Sequence, residues 1–215
     1  MTKTILIVGA SRGIGLGLVK EFKSRGWAVT GTERSKSDLH EVEDVNIAMM
    51  DVVDPNTFAV TGEFDTVILN AGISGAKHQS SQQATPEEVA EVMMTNAFGP
   101  ARLAKDMLPQ IKDGGTLAFM SSLMGSIADS SGGYELYRTS KAALNMLAKG
   151  IAEQDASPRN IEVLALHPGW VQTDMGGDQA PLTVEESVKG LTDVIEGSGG
   201  GGFRYVDYSG KELAF

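Results

Sequence analysis

The stretch VGASRGIG, residues 8–15, decides the fold of this chain. It ends a short apolar run, KTILIVGA at residues 3–10, which is typical of a buried strand. After it, Ile14, Leu18 and Phe22 place an apolar side chain at every fourth position, which predicts a helix. A strand, a glycine-rich turn and a helix in this order predict the first unit of a parallel α/β sheet.

The three glycines of this turn, Gly9, Gly13 and Gly15, have the spacing G-x-x-x-G-x-G. Glycine permits a tight turn with positive φ and lets the backbone approach a pyrophosphate closely. The helix N-terminus adds free N–H groups and the positive end of a dipole. Strand-to-helix turns also use glycine for geometry alone, but the flanking strand and helix favour a dinucleotide site.

The alternation of strands and helices continues to the end of the chain. Further strands are predicted at 27–32, 45–50, 65–70, 114–122 and 160–169, and a last strand followed by a turn at 202–213. Further helices are predicted at 85–108, 134–153 and 183–196, and the first and last of these begin with a capping-box pattern, Thr-x-x-Glu, at Thr85 and Thr183. The connection between the third and fourth strands leaves room for little more than a turn or two of helix. We therefore expect one domain, residues 1–215, with a doubly wound parallel sheet covered by helices on both faces.

Composition excludes several classes of function. The net charge is −10, and the 18 basic residues form no cluster, so nucleic acid is not an expected partner. No apolar stretch is long enough to span a membrane, and the N-terminus does not resemble a signal peptide, so a cytoplasmic location is expected. With no cysteine, and with His40, His78 and His167 far apart, no metal site is predicted.

The end of the second strand bears on the choice between NAD(H) and NADP(H). An acidic residue there binds the ribose 2′-hydroxyl, whereas an arginine pairs with a 2′-phosphate. This chain has both, Glu33 followed by Arg34, and Arg12 in the glycine turn can reach the same place. Two cations beside one phosphate outweigh an acid that faces solvent, so we predict NADP(H) rather than NAD(H).

The segment SSGGYELYRTSKAAL, residues 130–144, has the elements of a proton-transfer pair. Lys141 follows Tyr137 by four residues, so both lie on one face of a helix, where the cation is expected to lower the pKa of the phenol. Tyr134 has Arg138 at the same spacing, so spacing alone does not exclude it. An arginine cannot pass on a proton, and the lysine therefore favours Tyr137.

Six motifs together resemble the short-chain dehydrogenase/reductase superfamily, within it most closely the C-factor and sniffer-type carbonyl reductase branch. They are GASRGIG (9–15), LNAG (69–72), TNAFGP (95–100), MSS (120–122), YRTSK (137–141) and HPGWVQT (167–173). The resemblance implies a Rossmann-type fold with seven parallel strands in the order 3-2-1-4-5-6-7. It also implies reduction of a small-molecule carbonyl compound by hydride transfer from NADPH. For the oligomeric state it leaves two alternatives, a monomer or a homodimer through helices 4 and 5 of the family, the helices predicted at 85–108 and 134–153.

The resemblance also assigns roles to residues. The catalytic set is Asn96, Ser122, Tyr137 and Lys141, in which Asn96 binds a water that links the lysine to solvent. The cofactor set is Gly9, Ser11, Arg12, Gly13, Ile14, Gly15, Arg34, Asp51, Val52, Asn70, Ala71, Gly72, Tyr137, Lys141, Pro168, Gly169, Val171 and Thr173. The residues themselves, rather than the resemblance, give the expected substrate set, which is Leu123, Tyr134, Trp170 and Met175. The glycine and proline content of the loop at 173–183 indicates a mobile lid.

Ser122 is expected to donate a hydrogen bond to the substrate oxygen, because the family motif has its catalytic serine second in a pair such as Ser121–Ser122. Family members have about a dozen residues between this serine and the tyrosine, a spacing that Tyr134 fits better than Tyr137. We interpret the difference as a short insertion before Tyr137, which a loop can accommodate.

The chain departs from the family motif at one position, where we expect an effect on stability. The family's usual threonine before the first glycine is Val8 here, so the hydrogen bond of that threonine to the turn around Asn70 is missing or replaced. The function predicted is an NADPH-dependent carbonyl reductase. The alternative is a nucleotide-binding signalling protein of the C-factor type with little turnover.

Overall fold

The computed structural model describes residues 2–215, which form a seven-stranded parallel sheet. The strands lie in the order β3-β2-β1-β4-β5-β6-β7, which confirms the predicted order. They are Thr4–Val8, Ala28–Glu33, Asn46–Met49, Phe64–Leu69, Ile111–Met120, Glu162–His167 and Phe203–Asp207. The order reverses between β1 and β4, and ligands of open α/β sheets bind at the carboxyl ends of strands beside such a reversal.

Five α-helices cover the two faces of the sheet. They are α1 Gly13–Ser24, α2 Pro86–Met93, α3 Gly99–Met107, α4 Glu135–Ile151 and α5 Val184–Glu196. Strand β1 contributes to both cores, since Leu6 packs on the side of α3 and α4 and Ile7 on the side of α1 and α5. Burial on both faces explains why β1 is an almost continuous apolar run.

The structure confirms the capping boxes predicted at the starts of α2 and α5. The Thr85 hydroxyl accepts the N–H of Glu88, and the Glu88 carboxylate accepts the N–H of Thr85. Thr183 and Glu186 form the same reciprocal pair at the start of α5. Each box satisfies N–H groups that the first turn of a helix leaves unpaired.

The helix predicted at 85–108 is not regular. A π-helical turn, Met94–Phe98, separates α2 from α3. Pro100 follows Asn96 by four residues and has no N–H to donate to its carbonyl oxygen, so the α-helical bond cannot form there. The helix predicted at 134–153 ends at Ile151 and continues into a second π-helical turn, Ala152–Ala156.

The later strands also differ from their predicted limits. Strand β5 begins at Ile111 rather than at 114, and the pairing of β4 with β5 shifts register between Phe64 and Thr66. Strand β7 ends at Asp207, whose carboxylate accepts the N–H groups of Ser209 and Lys211 and closes a turn, so a strand followed by a turn is found here as predicted. The connection between β3 and β4 contains only the short 3₁₀ helix Pro55–Thr57, as the sequence indicated.

Within residues 2–215, no helix has both the length and the apolar composition that crossing a membrane requires. Over the same residues, no three histidine or acidic side chains are grouped so that they could hold a metal ion.

Candidate active site

The glycine turn packs against the segment that follows β4. Gly9 has φ of 82°, and a Cβ there would lie 2.8 Å from the Ala71 Cα. A Cβ at Gly15 would lie 2.0 Å from the Gly9 carbonyl oxygen. A side chain at either position would push the turn away from the end of the sheet, where a bound dinucleotide would contact the backbone.

The start of α1 differs from the starts of α2 and α5. Among these three described helices, α1 alone receives no side-chain cap at its N-terminus. The first turn of α1 therefore keeps N–H groups that an anion can satisfy. This arrangement fits the pyrophosphate of a dinucleotide.

Main-chain and amide contacts replace the hydrogen bond expected of a threonine at Val8. The Val8 carbonyl accepts the N–H groups of Asn70 and Ala71, at 2.9 and 3.0 Å. The Asn70 side chain donates to the Gly9 carbonyl at 2.7 Å. The glycine turn and the segment after β4 are thus joined without the threonine.

Glu33, expected to face solvent, is buried at the end of β2, and this expectation was wrong. Glu33 is 3% exposed, and its carboxylate accepts hydrogen bonds from the Ser37 hydroxyl at 2.5 Å and the His40 ring at 2.7 Å. Burial favours the neutral acid, but these bonds outweigh it and lower the pKa of Glu33. The carboxylate is therefore occupied by its own neighbours.

The two arginines predicted to hold a 2′-phosphate are exposed. Arg34 Nη1 lies 3.9 Å from the Asp51 carboxylate, and Arg12 forms an ion pair with Asp174 at 2.7 Å. Such exposed pairs contribute little to stability, so both guanidinium groups can exchange partners at low cost.

Helix α4 carries Tyr137 and Lys141 to the end of β5, where Ser122 lies. The Tyr137 hydroxyl lies close enough to Ser122 for the serine side chain to lower the pKa of the phenol. The Lys141 ammonium lies 5.6 Å from the centre of the Tyr137 ring. The predicted insertion before Tyr137 lies in the loop between β5 and α4 and leaves the serine and this tyrosine in contact.

The pKa of Tyr137 moves in the direction opposite to the one expected. Burial raises it to about 12, and the nearby Ser122 side chain offsets only part of that effect. Burial also lowers the pKa of Lys141 to about 8. Desolvation of both groups outweighs the attraction of the cation for a phenolate, so Tyr137 is protonated at neutral pH.

Lys141 is 4% exposed and donates to the Met120 carbonyl oxygen at 2.8 Å. An ammonium group has three donors. The donors that remain can bind the hydroxyls of a ribose, the role that the resemblance implies.

Ser121 and Ser122 have different partners. The Ser121 hydroxyl donates to Asn145 at 2.5 Å in the core, which is the contact of a structural residue. The Ser122 carbonyl accepts the Tyr205 hydroxyl at 2.5 Å. Sequence reasoning missed Tyr205 and Asn145, because β7 and α4 gave no signal that these polar groups face the serine pair.

Asn96 lies in the π-helical turn and is fully buried. Its side chain accepts the Ile73 N–H and donates to the Ile73 carbonyl, each at 2.8 Å, and it also donates to the Ser140 hydroxyl at 3.0 Å. The asparagine thus joins the segment after β4 to α4, the helix that carries Tyr137.

The start of α4 is capped from another segment, which the sequence did not indicate. Gln79 accepts the Glu135 N–H at its main-chain oxygen, at 2.9 Å, and the Tyr137 N–H at its side-chain oxygen, at 3.1 Å. Gln79 itself has φ of 54°, and Tyr134, the residue before the helix, has φ of 48°.

The segment after β6 lies beside the glycine turn. A Cβ at Gly13 would lie 3.3 Å from the Thr173 methyl group. Gly169 has φ of 84°, and a Cβ there would meet the Leu182 side chain. The Pro168 carbonyl accepts the Ser187 hydroxyl, and Val171 is buried. These contacts bring two of the predicted cofactor-binding segments together.

The side chains predicted to contact substrate are all exposed. They are Leu123, Tyr134, Trp170 and Met175. The Trp170 ring donates to the Gly176 carbonyl at 2.8 Å, which ties this residue to the loop predicted to act as a lid.

The sheet is parallel in this strand order and has a glycine turn at the point where the order reverses. A Ser–Tyr–Lys group lies at the end of an adjoining strand. Together these features define a dinucleotide-dependent oxidoreductase. The family model for short chain dehydrogenases matches residues 3–181. The chain belongs to the short-chain dehydrogenase/reductase family, as the six sequence motifs predicted.

Relatives and solved structures agree with this assignment. The chain is 40% identical to C-signal of Myxococcus xanthus over 165 residues, 73% of this chain and 96% of that protein. A carbonyl reductase from Pseudomonas aeruginosa PAO1 in complex with NADP superposes with a TM-score of 0.91 at 37% identity, with 100% of both chains covered. The carbonyl reductase Sniffer of D. melanogaster gives 0.90 at 30% identity, also with 100% of both chains covered.

Proposed function

We propose that this protein is an NADPH-dependent oxidoreductase that reduces the carbonyl group of an aldehyde, ketone or quinone to an alcohol. The observation that carries the proposal is the meeting of Ser122, Tyr137 and Lys141 at the carboxyl end of β5. The similarity to carbonyl reductases over the whole chain, one of them in complex with NADP, also supports it.

The residues described above fit this cofactor. The glycine turn and the uncapped start of α1 would hold the pyrophosphate. Arg34 and Arg12 would pair with the 2′-phosphate, and the remaining donors of Lys141 would bind the nicotinamide ribose. When bound, NADPH supplies the hydride that becomes attached to the carbonyl carbon.

The chain's own groups supply the proton. Tyr137 is protonated at neutral pH and would donate its proton to the carbonyl oxygen as the hydride arrives. Ser122 would donate a hydrogen bond to the same oxygen and stabilise the negative charge that develops there. With its pKa lowered to about 8, Lys141 can return a proton toward Tyr137 near neutral pH.

A nucleotide-binding signalling protein is the second candidate, and the identity with C-signal favours it. Both candidates bind NADPH, but only the reductase needs Ser122, Tyr137 and Lys141 grouped at one place. Turnover therefore separates them.

The test is NADPH consumption, followed at the nicotinamide absorbance, with aldehydes, ketones and quinones in turn, alongside direct NADPH titration. We expect consumption with at least one compound class and one equivalent of alcohol formed per NADPH. Binding of NADPH without turnover of any compound would favour the signalling protein. Absence of NADPH binding would contradict both candidates.

A further inference from the structure

The carboxylate of Glu33 is enclosed by a short segment of its own chain. Ser37 and His40 bind it at 2.5 and 2.7 Å, and the Glu33 side chain is 2% exposed. We refer to these two residues as the Glu33 clamp. The carboxylate lies at the end of β2, the position where an acid binds the ribose 2′-hydroxyl of NAD in such sheets.

Local structure holds the clamp in this position. The Ser37 hydroxyl also accepts the Leu39 N–H, at 3.3 Å, and so begins the 3₁₀ helix Asp38–Glu41. Leu39 is fully buried, and a Cβ at Gly31 of β2 would lie 3.1 Å from its side chain. Packing of Leu39 on β2 thus turns His40 back toward Glu33.

We propose that Ser37 and His40 make this protein selective for NADP(H) by holding the Glu33 carboxylate away from the adenosine ribose. The inference rests on the proposed function, since it assumes that a nicotinamide dinucleotide binds at the ends of β1 and β2. It identifies two specificity-determining residues that would not themselves contact the phosphates.

The charged side chains at this edge of the sheet differ in their exposure and in the number of partners that bind them. The acid is bound twice, whereas the side chains of Arg34 and Arg12 are 68% and 77% exposed and have only surface partners. A 2′-phosphate would compete only with the exposed carboxylates of Asp51 and Asp174 for these two cations, while the Glu33 carboxylate is enclosed. A 2′-hydroxyl would not reach the Glu33 carboxylate, because the clamp encloses it and its side chain is only 2% exposed.

The test removes the clamp and keeps the acid. In the double variant Ser37→Ala, His40→Leu, Glu33 is released to accept the ribose hydroxyl of NADH and to repel the 2′-phosphate of NADPH. We expect the Kd for NADH to fall about tenfold, the effect of one hydrogen bond to a charged group, and the Kd for NADPH to rise. Fluorescence titration with each reduced cofactor measures both constants without a substrate.

The matched control repeats the double substitution in a Glu33→Gln background, where no carboxylate exists to be released. There the ratio of the two Kd values should not change, although any structural damage would be the same. An unchanged ratio in the Glu33 background, or an equal change in both backgrounds, would overturn the proposal.

Failure of the selectivity mechanism and failure of the proposed function would give different titration results. If the parent protein binds NADPH and the ratio is insensitive to the clamp, only the selectivity mechanism is wrong. If neither cofactor binds the parent protein, the proposed function and the clamp both fail. Thermal unfolding of each variant, with and without NADPH, gives a second measure of binding that does not depend on turnover.

Discussion

Tyr137 and Tyr134 lie three residues apart in different environments. Tyr137 contacts Ser122 and lies beside Lys141, whereas Tyr134 is 63% exposed and precedes the helix. Tyr137→Phe removes the proton donor and should lower kcat by roughly 10²- to 10⁴-fold, the usual contribution of a general acid. Steady-state NADPH oxidation measures the loss, and titration should give an NADPH affinity close to that of the parent protein.

Tyr134→Phe is the matched control for this prediction. It removes a hydroxyl from the same segment but leaves Ser122 and Lys141 in place, so kcat should stay within a few-fold of the parent value. A large loss of kcat in Tyr134→Phe with activity kept in Tyr137→Phe would reverse the assignment.

His167, at the end of β6, makes the fold sensitive to acid. Its Nδ1 is buried without a hydrogen-bond partner among the described residues, and burial lowers its pKa to about 4. The unfolded chain takes up this proton near pH 6.5, so stability is present above that pH and is lost as pH falls toward 4. The loss is at most about 1.4 kcal/mol per pH unit for one proton.

Denaturant unfolding at a series of pH values measures this effect. His167→Asn should have a shallower decline in the free energy of unfolding between pH 6.5 and 4 than the parent protein. Identical slopes for the two proteins would show that His167 does not bind the extra proton on unfolding.

At the scale of elements, the position of α4 depends on Gln79, a residue far from it in sequence. Gln79→Ala removes the side-chain acceptor of the Tyr137 N–H. We expect a loss of about 1 kcal/mol in stability, typical of a helix cap, and a lower kcat with little change in the KM for NADPH. Gln83→Ala, at an exposed position, is the control and should change neither quantity.

The π-helical turn between α2 and α3 illustrates a limit of sequence analysis at this scale. Apolar spacing and the Thr85 capping box predicted the helix correctly up to the π-helical turn. How Pro100 alters the helix depends on the segments that pack around it. A Cβ at Gly99 would lie 2.4 Å from the Val52 carbonyl oxygen, so this part of the helix touches the loop after β3. Such contact between distant segments has no local pattern in the sequence.

At the scale of the whole molecule, α2 through α4 expose apolar side chains. Val89, Phe98 and Met146 are 41%, 48% and 74% exposed. We propose that they contribute to a homodimer through these helices, one of the two arrangements that the sequence resemblance implied. Met146→Lys should then shift the protein toward monomer in light scattering with size-exclusion chromatography, while Lys211→Ala, in the exposed turn after β7, should not.

The expectation that residues 1–215 form one domain stays a prediction. Two apolar cores lie on opposite faces of one seven-stranded sheet, so their separation would disrupt the sheet. We expect one cooperative unfolding transition, with coincident curves from circular dichroism and tryptophan fluorescence.

The resemblance of the sequence motifs to the family implied the strand order. Local patterns in the sequence by themselves determined the alternation of strands and helices, the glycine turn, the capped helix starts and the pairing of Tyr137 with Lys141. These features follow from local spacing: alternating strands and helices, glycines at a turn, or two residues four apart on a helix. Only the tertiary structure decided that Glu33 is enclosed, that Gln79 caps α4 and that burial raises the pKa of Tyr137. Each of these depends on which distant groups surround a side chain and exclude water from it, and no spacing along the chain specifies that.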